Sequence, residues 1–246
     1  MMVYKLRKNF SANYYESNRI MRGKIAFKTK ELEWVETTSS VIILISVHSA
    51  FHDGRGGDLK MNALISTIKG NVRGKISVLL ADAAHIQVDR LKDPLGGLNH
   101  SIRAAKQLAI RYQEYFEGCE LLYWHDAIWN DPDYPLFKRK IAHLFQKDRV
   151  FQQLLFSDGA SLYTLKGKES YKERDLFIQK SVDDILEQCV CALVLENRGY
   201  GYQFYPGPPY ESVKYVSRGL TLRWIHVFLA IERKTEVVPN IKGENL

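Results

Sequence analysis

The chain is expected to fold as an α/β protein with a Rossmann-like, mostly parallel sheet flanked by helices. Three features predict it. VIILIS (41–46) is an unbroken apolar run rich in β-branched residues and bounded by polar ones, the pattern of a strand buried on both faces. KISVLLAD (75–82) is a second such run that ends in an acid. Between them, LKMNALISTIKGNV (59–72) sets Leu59, Leu64, Ile65 and Ile68 on one helical face, so the three segments make a βαβ unit. In sheets built this way, ligands bind beyond the carboxyl ends of the strands. Ser46 and Asp82 stand at those ends.

The other elements follow in order. Residues 1–35 are basic and aromatic and read as a strand or arm followed by irregular chain. HDGRGGD (52–58) is a polar, Gly-rich turn. HSIRAAKQLAIRYQEYF (100–116) is a long amphipathic helix carrying Arg103, Lys106 and Arg111. CELLYWHD (119–126) is a third strand. Residues 131–156 make one or two helices entered through Pro135, with a basic cluster at Lys138, Arg139 and Lys140. KERDLFIQKSVDDILEQCVCALVLE (172–196) is a long helix, apolar at Ile178, Val182, Ile185, Leu186, Cys189 and Leu193. YGYQFYPGPP (200–209) is a short strand that the prolines stop. SVKYVSRGL (212–220) is a short helix, and LRWIHVFLAIE (222–232) suits a closing strand or helix equally. No repeat, low-complexity tract or Pro/Ser-rich linker marks a boundary, so residues 1–246 are read as one domain.

Composition narrows the class. With 246 residues, 46% hydrophobic and 26% charged, the chain can bury a sizeable core without metal or disulfide staples. A net charge of +7 permits a polyanionic partner without demanding one. Cys119, Cys189 and Cys191 cannot all pair and show no disulfide or four-ligand zinc pattern, so a reducing cytoplasm is expected. The apolar runs near 41–45 and 225–231 are too short to span a bilayer, and no signal-peptide pattern opens the chain. No membrane segment or secretion is expected.

Several residues suit chemistry. Ser46, held at the tip of a buried strand, suits a nucleophile, or a cap on the loop that follows. It lacks the G-x-S-x-G elbow of esterase-type hydrolases. His48 and His52 suit general bases, metal ligands or plain loop polar residues, and no third ligand has fitting spacing. The GRGG stretch offers amides to a phosphate but matches neither a P-loop nor G-x-G-x-x-G. Asp82 suits a substrate amine or a helix cap. Arg103, Lys106 and Arg111 lie at helical spacing, as a stripe that tracks phosphates or as a solvated face. Tyr205, at a strand end beside prolines, suits a proton donor or an aromatic lid.

In order and spacing, four segments resemble the cyclodipeptide synthases: IILISVHSAFHDGRGGDLKMNALISTI, KISVLLADAAHIQVDRL, LLYWHDAIWNDPDYPLFKRKIAHLFQKDRVF and SVDDILEQCVCALVLENRGYGYQFYPGPP. Together they cover most of residues 41–210. The resemblance implies a domain similar to the catalytic domain of class I aminoacyl-tRNA synthetases. It implies an enzyme that joins amino acids from two aminoacyl-tRNAs into a diketopiperazine. On that likeness Ser46 matches the nucleophile that carries the aminoacyl group, and Tyr205 the tyrosine that relays a proton. Tyr205-Pro206, with Ser49 where other members have Asn, looks like the Tyr-Pro subfamily. Leu44, Ser49, Asp82 and Pro206 would belong to the substrate pocket, and Arg103, Lys106 and Arg111 would hold tRNA. The family's long helix carries a tyrosine and, four residues later, a glutamate that hold the substrate amine. The matching positions are Asp184 and Gln188. Glu187 lies one residue away, about 100° around the helix. An aminoacyl-tRNA is already an activated ester, so the implied chemistry needs no cofactor and no metal. Two rival readings fit the same residues: a catalytically weakened tRNA-binding relative, and an unrelated Rossmann-like transferase that uses the GRGG loop.

Overall fold

The computed structural model describes residues 9–16, 19–27, 38–47, 57–167, 173–207 and 210–234. Their strands are β1 (Asn9–Glu16), β2 (Arg19–Phe27), β3 (Val41–Ser46), β4 (Ile76–Ala81), β5 (Glu120–Tyr123), β6 (Tyr202–Tyr205) and β7 (Arg223–Lys234). They form one sheet in the order β1-β2-β7-β6-β3-β4-β5. The five strands from β7 to β5 pair in parallel, and β1 and β2 add an antiparallel hairpin at the β7 edge.

The helices are α1 (Gly57–Asn71), α2 (Ile86–Lys92), α3 (Gly97–Arg111), α4 (Gln113–Phe116), α5 (Trp124–Ala127), α6 (Tyr134–Lys147), α7 (Arg149–Leu162), α8 (Arg174–Asn197) and α9 (Glu211–Ser217). They cover both faces of the parallel part. All six residues of β3 are buried, because its alternate side chains enter two different cores. Val41, Ile43 and Ile45 pack with α1 and α3 through Leu64, Ile68 and Leu108. Ile42 and Leu44 pack with α7 and α8 through Leu155, Val182, Ile185 and Cys189.

The expected elements are present, with several differences. The stretch expected to be irregular after the first strand contains β2, which pairs with β7 from Ile20 opposite Lys234 to Phe27 opposite Val227. That pairing, with β6 on the other side, makes residues 222–232 a strand. The third strand is shorter than 119–126 and turns helical at Trp124, where Asp82 accepts the backbone N–H of His125. The helix over 100–116 breaks at Tyr112. The helical region 131–156 divides at Asp148, whose carboxylate accepts the N–H groups of Val150 and Phe151 and so starts α7. The short α2 was not anticipated.

α8 ends in a Schellman motif that delivers the chain into β6. Gly199 has φ +79°. Its N–H reaches the Glu196 carbonyl at 2.9 Å, and Tyr200 N–H reaches that of Leu195 at 3.1 Å. Any other residue there meets its own Cβ in the left-handed region. Gly199→Ala is expected to lower the unfolding free energy by about 1 kcal/mol, read as a shift in urea midpoint at constant m-value.

Candidate active site

The strand order makes one position special. From β3 the chain builds outward through β4 to β5, then returns to lay β6 and β7 on the other side of β3. The direction of winding therefore reverses between β3 and β6, and the crevice at the carboxyl ends of that pair is the usual ligand site of such sheets. Ser46 ends β3 and Tyr205 ends β6.

Register places both side chains on one face. Ile43 pairs with Phe204, so Tyr205 lies level with Leu44, and Ser46 stands two residues further along. Leu44 and Tyr205 share the core under α8, and Ser46, two residues from Leu44, faces that side. Strand spacing puts the Cα atoms of Ser46 and Tyr205 roughly 8 Å apart. Ser46 retains 7% exposure and Tyr205 4%.

The tyrosine is tightly held. Its ring stacks on Tyr210 at 6.4 Å between centroids and meets Trp224 edge-on at 5.8 Å. Burial pushes its phenol up to about 12, while the hydroxyl of Tyr210 pulls the other way. Burial also raises Tyr210, helped by the neighbouring Tyr205. Both phenols therefore keep their protons at neutral pH. Gly207 lies directly over the Tyr205 hydroxyl: a Cβ there would sit 2.5 Å from that oxygen and closer still to the ring carbons Cζ and Cε1. Gln188, 2% exposed, faces this group, and its amide approaches Tyr210 without a well-directed hydrogen bond.

The acids fall elsewhere. Asp184, 1% exposed, accepts Gln87 N–H at 2.9 Å and Val88 N–H at 3.0 Å. It thus caps the first turn of α2, whose own N-cap residue His85 supplies no side-chain cap. Burial raises its carboxyl well above the ordinary range, and the two amides oppose that. Glu187 points toward α6, where Tyr134 donates to it at 2.6 Å and Lys138 at 2.7 Å. Asp82 caps α5 at His125 and also contacts the His125 imidazole Nδ1. Asp158 does the same for α9, accepting the N–H groups of Glu211 and Ser212. Asp184, Asp82 and Asp158 thus pin the starts of α2, α5 and α9.

Removing such a cap leaves two buried donors unpaired, which costs about 1–3 kcal/mol. Asp184→Ala is therefore expected to lower the unfolding free energy by about 2 kcal/mol, with Asp184→Asn intermediate. Urea unfolding of the two variants checks this.

Of the remaining expected site residues, Pro206 directly follows Tyr205 and is half-buried, while Ser49, His48, His52 and residues 53–56 of the turn lie outside the described residues. Arg103 and Lys106 are exposed on α3; Arg111 forms an ion pair with Asp58 at 3.0 Å. Four residues near the crevice were not singled out by sequence: Tyr210, Gly207, Trp224 and His125. The available signals were the glycine between prolines in YPGPPY and a histidine just beyond a strand end.

A parallel sheet of this order with helices on both faces is of the Rossmann type. Comparison with known proteins refines the placement by fold. No protein-family model and no curated protein matches the chain. Among solved structures it is similar to a cyclodipeptide synthase of Fluoribacter dumoffii, at 16% identity over 88% of this chain and 100% of that one, with a TM-score of 0.73. It is also similar to the synthase of Candidatus Glomeribacter gigasporarum bound to Phe-tRNAPhe, at 14% identity, 84% and 93% coverage and a TM-score of 0.56. A Mycobacterium tuberculosis protein, whose structure relates cyclodipeptide synthetases to type I tRNA synthetases, matches at 11% identity, 93% and 100% coverage and a TM-score of 0.60. Among the described residues, no helix is long and apolar enough to cross a membrane.

Proposed function

We propose that the chain is a tRNA-dependent cyclodipeptide synthase that carries its first aminoacyl group on Ser46. The observation that carries this reading is the placement of Ser46 and Tyr205 on adjacent parallel strands, on one face, at the switch point. The fold shared with several cyclodipeptide synthases supports it. In this reading residues 1–246 act as one catalytic domain in the cytoplasm, and Tyr205-Pro206 supports assignment to the Tyr-Pro subfamily.

The steps follow from the groups present. Ser46 Oγ attacks the aminoacyl ester, and the tRNA 3′-terminal hydroxyl leaves. The amine of a second aminoacyl-tRNA attacks the Ser46 ester, so the growing dipeptide stays esterified to its second tRNA and Ser46 is freed. Alternatively the free amine of the aminoacyl-Ser46 attacks the ester of the second aminoacyl-tRNA, whose 3′-terminal hydroxyl leaves, so the dipeptide stays esterified to Ser46. Either route ends when the free amine attacks the remaining ester and closes the ring, with a proton passing from amine to leaving oxygen. Tyr205 is a neutral phenol across the working range and can pass that proton. No alkaline loss of activity from Tyr205 ionisation is expected below pH 10, since the protonated form persists up to about 12. With Asp184 and Glu187 committed elsewhere, the Gln188 amide oxygen and the Tyr210 hydroxyl are left to hold the substrate amine. Leu44 and Pro206 shape the pocket, and Arg103 and Lys106 contact tRNA phosphates.

Expression in a bacterium, followed by mass spectrometry of the medium, tests the reading. A diketopiperazine absent from cells without the gene is expected. Its absence across varied amino-acid supply, with tRNA binding intact, would favour the weakened tRNA-binding relative, which the missing amine-holding carboxylate supports.

A further inference from the structure

A basic groove of about 1170 Å³ lies where α6 turns into α7, against the end of α9. Lys140, His143, Lys147, Arg149 and Arg218 rim it, and Ile141, Leu144 and Val216 form part of its floor. Lys140, His143 and Lys147 repeat at helical spacing along one side of α6, a row about 10 Å long. None of Lys140, Lys147, Arg149 and Arg218 forms an ion pair with a carboxylate among the described residues. The one acid on the rim among the described residues, Asp148, is half-exposed, and its carboxylate is engaged in starting α7 and in accepting the Tyr215 hydroxyl at 2.7 Å. Arg218 is held over the Tyr215 ring at 5.8 Å, and that ring stacks on Phe151 at 6.0 Å, which gives this one cation a defined place on the rim.

The groove is separate from the Ser46 crevice. α9 starts beside Tyr205, at the carboxyl end of β6, and leads to Arg223, which pairs with Tyr202 at the opposite end of that strand. Arg218 therefore sits at the amino ends of the strands, about 10 Å or more from the Ser46 rim. It is also distinct from the exposed cations of α3, which packs on the other face of the sheet.

Four cations with no carboxylate partner among the described residues, two of them on the α6 row, beside a single acid that is already engaged, suit a ligand that repeats its own negative charge. We propose that this groove is a second RNA-contact surface, which takes the phosphodiester backbone of the tRNA away from its aminoacylated end. The inference rests on tRNA being the substrate. It assigns Lys140, from the basic cluster at 138–140, to RNA, whereas Lys138 of the same cluster is paired with Glu187.

The test is fluorescence anisotropy of a labelled tRNA transcript between 50 and 200 mM salt, as roughly the range over which counterion release is readable. Lys140→Ala, Lys147→Ala, Arg149→Ala and Arg218→Ala combined are expected to weaken binding about tenfold and to reduce the salt slope by about 3. Lys140→Glu alone should act in the same direction. Unchanged affinity and slope in both variants would overturn the proposal, as would groove-dependent binding of poly-glutamate with tRNA binding unaltered. Failure here and failure of the synthase reading are distinguishable. A diketopiperazine from cells whose groove variants bind tRNA normally removes only the groove; groove-dependent tRNA binding with no diketopiperazine removes only the synthase.

Discussion

Ser46→Ala is expected to abolish both cyclodipeptide formation and the labelled aminoacyl-protein that precedes it. The serine is the one hydroxyl that β3 delivers to the switch-point crevice among the described residues, and it is held by a strand buried on both faces. Loss of a nucleophile leaves only whatever uncatalysed transfer the bound ester permits, so a fall of about 10³-fold or more is expected. Incubation with radiolabelled aminoacyl-tRNA, acid quenching and intact-mass measurement read the intermediate directly. The wild-type protein should gain one aminoacyl group and the variant none, with tRNA affinity unchanged in both. Acylation that persists in Ser46→Ala would move the nucleophile elsewhere. The Asp82–His125 pair at the neighbouring strand ends gives the next residue to examine.

The parts of this molecule that were legible in the sequence are those governed by periodicity. β3, α1 and β4 each announce themselves by their apolar pattern, and with them the strand ends at which Ser46 and Asp82 stand. β7 was ambiguous because a short apolar run fits a strand or a buried helix, and only its partners β2 and β6 decide. β2 was missed because RIMRGKIAF alternates too weakly to outweigh its glycine and its three basic residues. The acids were the hardest to read. Asp82 and Asp184 both look available for chemistry in the sequence, yet each accepts backbone N–H from an element far away in the chain, 43 and 97 residues distant. Local sequence cannot report such a cap, since the helix it completes is specified elsewhere. The same holds for Tyr210 and Gly207, whose significance arises only from where β6 sets the Tyr205 ring.

Gly207→Ala is expected to slow ring closure about 100-fold while leaving the first acyl transfer intact. The substituted Cβ would lie 2.5 Å from the Tyr205 hydroxyl oxygen, far inside contact distance. The phenol has little room to retreat, because Tyr210 stacks on one side of its ring and Trp224 meets it edge-on. Either the ring or the Pro206–Gly207 backbone must shift by about 1 Å, and a displacement of that size at a proton-transferring group costs on the order of 10²-fold in rate. Gly207 is thus a positioning residue that acts through Tyr205. Tyr205→Phe should lose a similar factor, and the two changes together should lose little more than either alone, since both remove the same proton path. Single-turnover assays that follow the aminoacyl-enzyme, the linear dipeptidyl ester and the diketopiperazine separately distinguish this from a general loss of structure: the aminoacyl-enzyme should form at the wild-type rate and the linear dipeptidyl ester should then persist. If Gly207→Ala slows acylation of Ser46 as much as it slows ring closure, or if the double variant loses the product of the two factors, then Tyr205 serves substrate binding and the proton must travel by another group.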